Sequence, residues 1–257
     1  MIKICIIGSG NVAQHLITTF QNLEKSVNEI ELIQVFARKK ENLVHLLPLE
    51  KITDDFNTLV EADLYIISVS DDAIATVSEK LPFKNRLVVH TSGSMPFNIL
   101  CNHNRKGVFY PLQTFTKGKA INFKEIPICI ESENSTDYKV VERVAKMISN
   151  SVFAINSEQR KALHVAAVFV NNFTNHLYAI GKTICEENQI PFEILKPLMK
   201  ETISKLENLT PNQAQTGPAI RNDQKTIEAH EAFLENENQL NIYKILTQSI
   251  QDNGKKL

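Results

Sequence analysis

Glycines at positions 8 and 10, with Ala13 three residues later, follow the apolar run Ile4-Cys5-Ile6-Ile7 and open an amphipathic segment from Val12 to Leu23. The order is strand, glycine turn, helix. In such a turn the first glycine permits a tight bend and the second lets the backbone approach a pyrophosphate. A small third residue lets helix pack closely on strand. Free N–H groups at the helix N-terminus, helped by the macrodipole, then hold the phosphates. Gly8, Ser9, Gly10, Asn11, Val12 and Ala13 are therefore expected to bind a dinucleotide. A purely structural glycine turn is the alternative.

The next strand pattern, Glu31 to Ala37, ends without an acid and is followed by Arg38-Lys39-Lys40. An NAD or FAD site usually places Asp or Glu there, to accept hydrogen bonds from the ribose hydroxyls. Arg38 can fork onto a 2′-phosphate and stack on adenine, and Lys39 adds a point charge. These residues favour NADP over NAD. The plainer reading is that residues 38–40 start a solvated helix. A methyltransferase is disfavoured, because its ribose would need the same missing acid.

Ligands of open α/β sheets lie beyond the carboxyl ends of the strands. Val69, Ser70 and Asp71 occupy one such end and are expected near ribose and nicotinamide, a role compatible with helix capping. His90, Ser92 and Ser94 occupy another, where they can hold substrate oxygen or form a hydrogen-bonded turn. Tyr110, Gln113 and Thr114 suit the wall of a substrate pocket. Farther on, His164, Asn171 and Asn175 are spaced by seven and four residues. On an α-helix they fall within about 20° of one face. Their neighbours Val165 to Val170 are apolar, so this helix is expected to be buried and its polar groups hydrogen-bonded. Neighbouring helices or a ligand-binding cleft would both satisfy them, and the cleft is preferred. A histidine there can handle a proton near neutral pH. In the segment Thr216 to Asp223, Asn222 is expected to cap the next helix. Arg221 either pairs with Asp223 or binds an anionic substrate group. Thr226 and His230, four apart, share a helical face. No metal-ligand cluster, glutamate pair or Gly-x-Ser-x-Gly is present, so no metal is expected and hydrolase readings have little support.

The elements that must position these residues change in character along the chain. Up to about residue 155, short apolar runs alternate with amphipathic stretches; strands are expected at 3–7, 31–36, 64–69, 87–90, 107–109, 126–130 and 152–155. That rhythm predicts a largely parallel, doubly wound sheet. Afterwards the strands stop. Residues 157–187 read as one helix, followed by further helices and no Gly/Ser/Pro-rich linker. The 257 residues are 43% hydrophobic and 22% charged, with a net charge of −1. That composition is globular and gives no electrostatic case for nucleic acid. No apolar run approaches the ~20 residues of a membrane span. The N-terminus has no signal-peptide pattern, and four scattered cysteines without CxxC fit a reduced, cytoplasmic protein.

Gly8-Ser-Gly-Asn-Val-Ala13, Ser70-Asp-Asp72, His90-Thr-Ser-Gly-Ser94, Tyr110-Pro-Leu-Gln-Thr-Phe115, the helix with His164 and Asn171-Asn172, and Gly217-Pro-Ala-Ile-Arg-Asn-Asp223 with Thr226 and His230 occur in that order. Together they resemble the Rossmann-like NADP oxidoreductase family whose C-terminal half is a helical domain of unassigned function. The resemblance covers almost the whole chain. More distantly, the layout is similar to pyrroline-5-carboxylate reductase, the coenzyme F420-dependent NADP oxidoreductases and the β-hydroxyacid dehydrogenases. It implies an α/β protein with a Rossmann-like NADP-binding domain (residues 1–155) and an all-α substrate and dimerisation domain (residues 156–257). Two departures matter. Val168 stands where β-hydroxyacid dehydrogenases carry a catalytic lysine, and Pro218 to Asp223 replaces the glycine-rich entry of the pyrroline-5-carboxylate reductase helix.

The combined expectation is hydride transfer between NADP and a small carbonyl or imine, in a cleft between the domains of a homodimer. His164 would handle the proton and Asn171 or Asn175 would hold the substrate oxygen, with His90 and Ser92 as second candidates. A non-catalytic NADP sensor or scaffold is the main rival, and F420-linked reduction a third reading.

Overall fold

The computed structural model describes residues 1–27 and 29–254. They divide into two compact units, Met1–Val168 and Phe169–Leu257. The first unit is built on an eight-stranded sheet in the order β3-β2-β1-β4-β5-β6-β7-β8. Its strands are β1 (Ile2–Ile7), β2 (Ile30–Phe36), β3 (Ile52–Thr53), β4 (Leu64–Ile67), β5 (Leu87–His90), β6 (Arg105–Pro111), β7 (Ile128–Ser132) and β8 (Val152–Ala154). The first six are mutually parallel in the Rossmann order, β7 runs antiparallel to β6, and β8 is parallel to β7. The chain order reverses at β1, which pairs with β2 on one side and β4 on the other.

Alternation along β1 explains its central place. Ile4 and Ile6 join the core formed with Leu16, Ile17 and Phe20 of helix α1 (Asn11–Ser26). Cys5 and Ile7 join the core on the other face, with Tyr65, Ile67 and Val88. A strand apolar on both faces belongs in the middle of a parallel sheet. Two more helices complete this part of the unit, α2 (Ile74–Glu79) and α3 (Ser135–Ile148). The seven strands expected from sequence are present with shifted ends. The eighth, β3, has two residues, too few to show alternation.

Helix α4 (Ser157–Ala167) belongs to this unit because a buried ion pair fastens it there. Arg160 is fully buried. Its Nη1 donates to Glu131 Oε2 of β7 at 2.6 Å, and its Nη2 donates to the Met95 carbonyl and to Ser157 Oγ. Ser157 Oγ donates to the same carboxylate at 2.7 Å and accepts the Phe97 N–H at 3.1 Å. One guanidinium thus joins α4, β7 and the loop after β5.

That loop also holds His90 and Ser92. His90 is fully buried, its Nδ1 accepts the Ser92 N–H at 3.1 Å, and its Nε2 faces the Pro96 carbonyl at 3.3 Å. Ser92 Oγ accepts the N–H groups of Ser94 and Met95. Both side chains, and the backbone of Ser94, take part in shaping the turn, the hydrogen-bonded alternative of the sequence reading. Burial, reinforced by the Arg160 charge, pushes the His90 pKa down to about 4.

The second unit is helical: α5 (Thr174–Glu187), α6 (Lys196–Ser204), α7 (Pro211–Ala214), α8 (Gln224–Phe233) and α9 (Glu237–Gly254). The long helix expected over 157–187 is helical throughout but not uniformly α, because Val168–Phe173 form a π turn. The expected burial of its apolar stretch is not found. Val165, Phe169 and Val170 are 53%, 64% and 74% exposed among the described residues.

Glu131→Gln leaves the buried Arg160 without its counter-charge and should cost about 3 kcal/mol or more in urea unfolding; an unchanged midpoint would contradict that role. His90 contributes a pH dependence. Between its folded pKa of about 4 and the ordinary 6.5, the unfolded chain binds more protons than the native one. Stability should therefore fall, by up to about 3 kcal/mol, as pH drops through that window. His90→Asn should flatten this part of the urea-midpoint profile, and an identical slope in the variant would refute the assignment.

Candidate cofactor and active site

The glycine turn after β1 is held by a close approach of two backbones. Gly8 has φ +138°, and a Cβ on it would overlap the Ser68 carbonyl oxygen beyond β4. Its N–H donates to the Phe36 carbonyl at the end of β2, at 2.9 Å. Only glycine meets both demands. Gly10 is the N-cap of α1, whose first turn has no capping side chain and no acid. A Cβ on Gly10 would meet nothing within 4 Å. Unclaimed amide donors, the positive end of a 16-residue helix and open space over the turn fit a pyrophosphate. Ala13 is fully buried and Val12 packs against the same core. The Asn11 side chain turns elsewhere, donating to the Phe115 carbonyl at 2.9 Å.

A cavity of about 370 Å³ opens at the carboxyl ends of β1, β2 and β4. Gly8 and Ser9 form one wall, Ala37, Arg38 and Phe56 a second, and Val69, Ser70, Thr76, Val77 and Lys80 a third. It thus gathers five residues expected at the cofactor, namely Gly8, Ser9, Arg38, Val69 and Ser70. Lys39 and Asp71 are exposed and do not line it. Lys40 is taken up by Asp54 at 2.9 Å. The sequence reading missed Thr76, Val77 and Lys80. The spacing of Ala73, Thr76, Val77 and Lys80, at i, i+3, i+4 and i+7, carried the signal of one helical face.

Tyr110 and His164 meet in the first unit. Tyr110 Oη lies 3.1 Å from His164 Nδ1, with the rings edge to face at 6.2 Å. A Cβ on Gly93 would stand 2.6 Å from His164 Nδ1 and 2.7 Å from the Tyr110 ring, so this glycine makes room for the pair. Burial pushes the Tyr110 pKa up to about 12 and keeps the phenol protonated. Gln113 and Thr114, beyond β6, are exposed, and the Gln113 side-chain oxygen Oε1 accepts the Thr114 N–H.

The remaining expected residues belong to the second unit. Asn171 and Asn175 are exposed and have no side-chain hydrogen bond among the described residues. The π turn breaks the α-helical spacing from which a common face with His164 was derived. Asp223, not Asn222, caps α8, accepting the Thr226 N–H and hydroxyl. These bonds hold its carboxyl below the usual range. Arg221 is exposed and makes no ion pair with Asp223 among the described residues. His230 Nδ1 lies 2.9 Å from Tyr243 Oη, beside an apolar groove of about 290 Å³. Among the described residues, no group of three His, Cys, Asp or Glu side chains could hold a metal, and no helix is long and apolar enough to cross a membrane.

Residues 3–93 match the family described as NADP oxidoreductase, coenzyme F420-dependent, and residues 126–250 match DUF2520, a domain of unknown function. No curated protein matches the chain. A crystal structure described as a putative NADP oxidoreductase from Bacteroides fragilis is 37% identical, with a TM-score of 0.86 and 98% of each chain covered. A protein of Thermotoga maritima is 19% identical, with a TM-score of 0.74 and 98% of each chain covered. Pyrroline carboxylate reductase of Plasmodium falciparum, solved with NADP bound, is 15% identical, with a TM-score of 0.57 over 97% of this chain and 98% of that one. The latter two likenesses establish the fold. The identity with the Bacteroides protein along nearly all of both chains establishes more: this chain belongs to the NADP oxidoreductase family, with an N-terminal NADP oxidoreductase domain followed by DUF2520.

Proposed function

We propose that the protein is an NADP-dependent oxidoreductase acting on a small carbonyl or imine. The observation that carries this reading is the cavity beside the glycine turn, lined by Arg38 and by no carboxylate where an NAD site would present one. Bound NADPH supplies a hydride. The chain's own residues bind and orient it. The α1 N-terminus receives the diphosphate, Arg38 forks onto the 2′-phosphate, and Val69 and Ser70 flank the ribose. The Tyr110–His164 pair handles the proton that the substrate heteroatom takes up. Imidazole is the side chain whose charge changes near neutral pH, and a protonated phenol beside it extends the relay. Asn171, Asn175 and Arg221 are exposed polar groups of the helical unit, and Thr226 and His230 lie on its helix α8. The exposed apolar side chains of Phe169 and Val170 support a homodimer through the helical unit. The four cysteines are free, as in a cytoplasmic protein.

Val168 in place of a lysine favours a second reading, an NADP-binding sensor without turnover. One experiment separates the two. NADPH should raise the melting temperature by several degrees at about 100 Kd, more than NADH does, and Arg38→Ala should shrink that shift. The wild-type protein should then oxidise NADPH with small cyclic imines or ketones, and His164→Ala should lose turnover while keeping the NADPH shift. No shift with any nucleotide defeats both readings, and a shift without turnover favours the sensor. Light scattering at micromolar concentration should give twice the chain mass of 29.1 kDa; a monomer would refute the dimer.

A further inference from the structure

We propose that Lys80 is the second cation of a clamp for the 2′-phosphate, so that helix α2, and not the Lys39-Lys40 run, completes the preference for NADP. The inference rests on the nucleotide reading above and deepens it. Among the described residues, Arg38 and Lys80 are the only charged side chains lining the 370 Å³ cavity, one following β2 and the other following α2. Neither makes an ion pair among the described residues, whereas Lys40 is neutralised by Asp54. Lys39, the other cation after β2, does not line the cavity.

The charge balance selects the ligand. The helix N-terminus at Gly10 already serves a diphosphate. NAD would bring only neutral ribose hydroxyls to the rest of the cavity, leaving its two lining cations without an anion to answer them. A phosphomonoester on the 2′-oxygen carries about −1.5 to −2 charges near neutral pH and answers both. The two cations are not equivalent. Arg38 is a planar fork suited to stacking and bidentate contact, and Lys80 is a compact point charge on a flexible stem. The apolar lining, Phe56, Val69 and Val77, leaves a slot for the purine. Lys80 lies one residue past α2, on the face shared with Thr76 and Val77, so the helix itself sets its position. The competing account is a solvated lysine whose charge merely suits a helix C-terminus.

Calorimetric titration of the full chain with adenosine 2′,5′-bisphosphate and with 5′-AMP distinguishes these accounts. The wild-type protein should bind the bisphosphate more tightly. Lys80→Gln should weaken the bisphosphate by about tenfold, the effect of one charge-assisted contact, and 5′-AMP by less than twofold. Lys80→Arg should restore most of the difference. Lys80 is exposed, so both variants should keep the wild-type thermal unfolding transition. Equal losses for both ligands, no loss for the bisphosphate, or a wild type that does not distinguish the two ligands would overturn the clamp while leaving a nucleotide site in place. A wild-type protein that binds neither ligand would overturn the nucleotide reading itself, and the clamp with it.

Discussion

The glycine turn and the cavity beside it depend on the contact between the backbone of Gly8 and the carbonyl of Ser68. It exists because β1 pairs with β2 on one side and β4 on the other, so the loops leaving these strands diverge to opposite faces of the sheet. The turn after β1 must pass between them. Any side chain at residue 8 would overlap the Ser68 carbonyl and push that turn, and α1 with it, off β4. The cavity, the position of Arg38 and the wall formed by α2 all follow from how closely those two backbones run.

A second constraint acts on the far side of the sheet. Arg160 gathers β7, the β5 loop and α4 around one charge, and so sets where the Tyr110–His164 pair stands. Burying a guanidinium is expensive, and a hydrophobic contact would often hold helix to strand as well. What an apolar substitute would not do is fix the helix in rotation, since directional hydrogen bonds to Glu131, Met95 and Ser157 admit one arrangement.

The legible part of the sequence was the part governed by short-range rules. Strand alternation, the glycine turn and the missing acid after β2 are local patterns, and all appear where they were expected. Arg38, Val69 and Ser70 line the cavity at that end of the sheet. Long-range chemistry was not legible. His90 looked like a polar group at a strand end, and it is buried, facing the Pro96 carbonyl and near enough to Arg160 to feel its charge. Arg160 and Glu131, twenty-nine residues apart, carry no pairing signal in the sequence. The spacing argument on the long helix failed for a different reason. It assumed a uniform α-helix, and nothing in the side chains of residues 168–173 announces otherwise.

The π turn also bears on how this helix is aligned with others. Counting three residues back from Asn171 reaches Val168 only if each step is an α-helical one. Where hydrogen bonds span five residues, the side chain stacked beneath Asn171 comes from farther back, at Ala167 or Ala166. Neither is a lysine, so the absence of an ammonium group there does not depend on which helical repeat is used to superpose the sequences. A one-residue gap placed in this turn, rather than in a loop, is what should keep the two arms of the helix in register when more distant chains are compared.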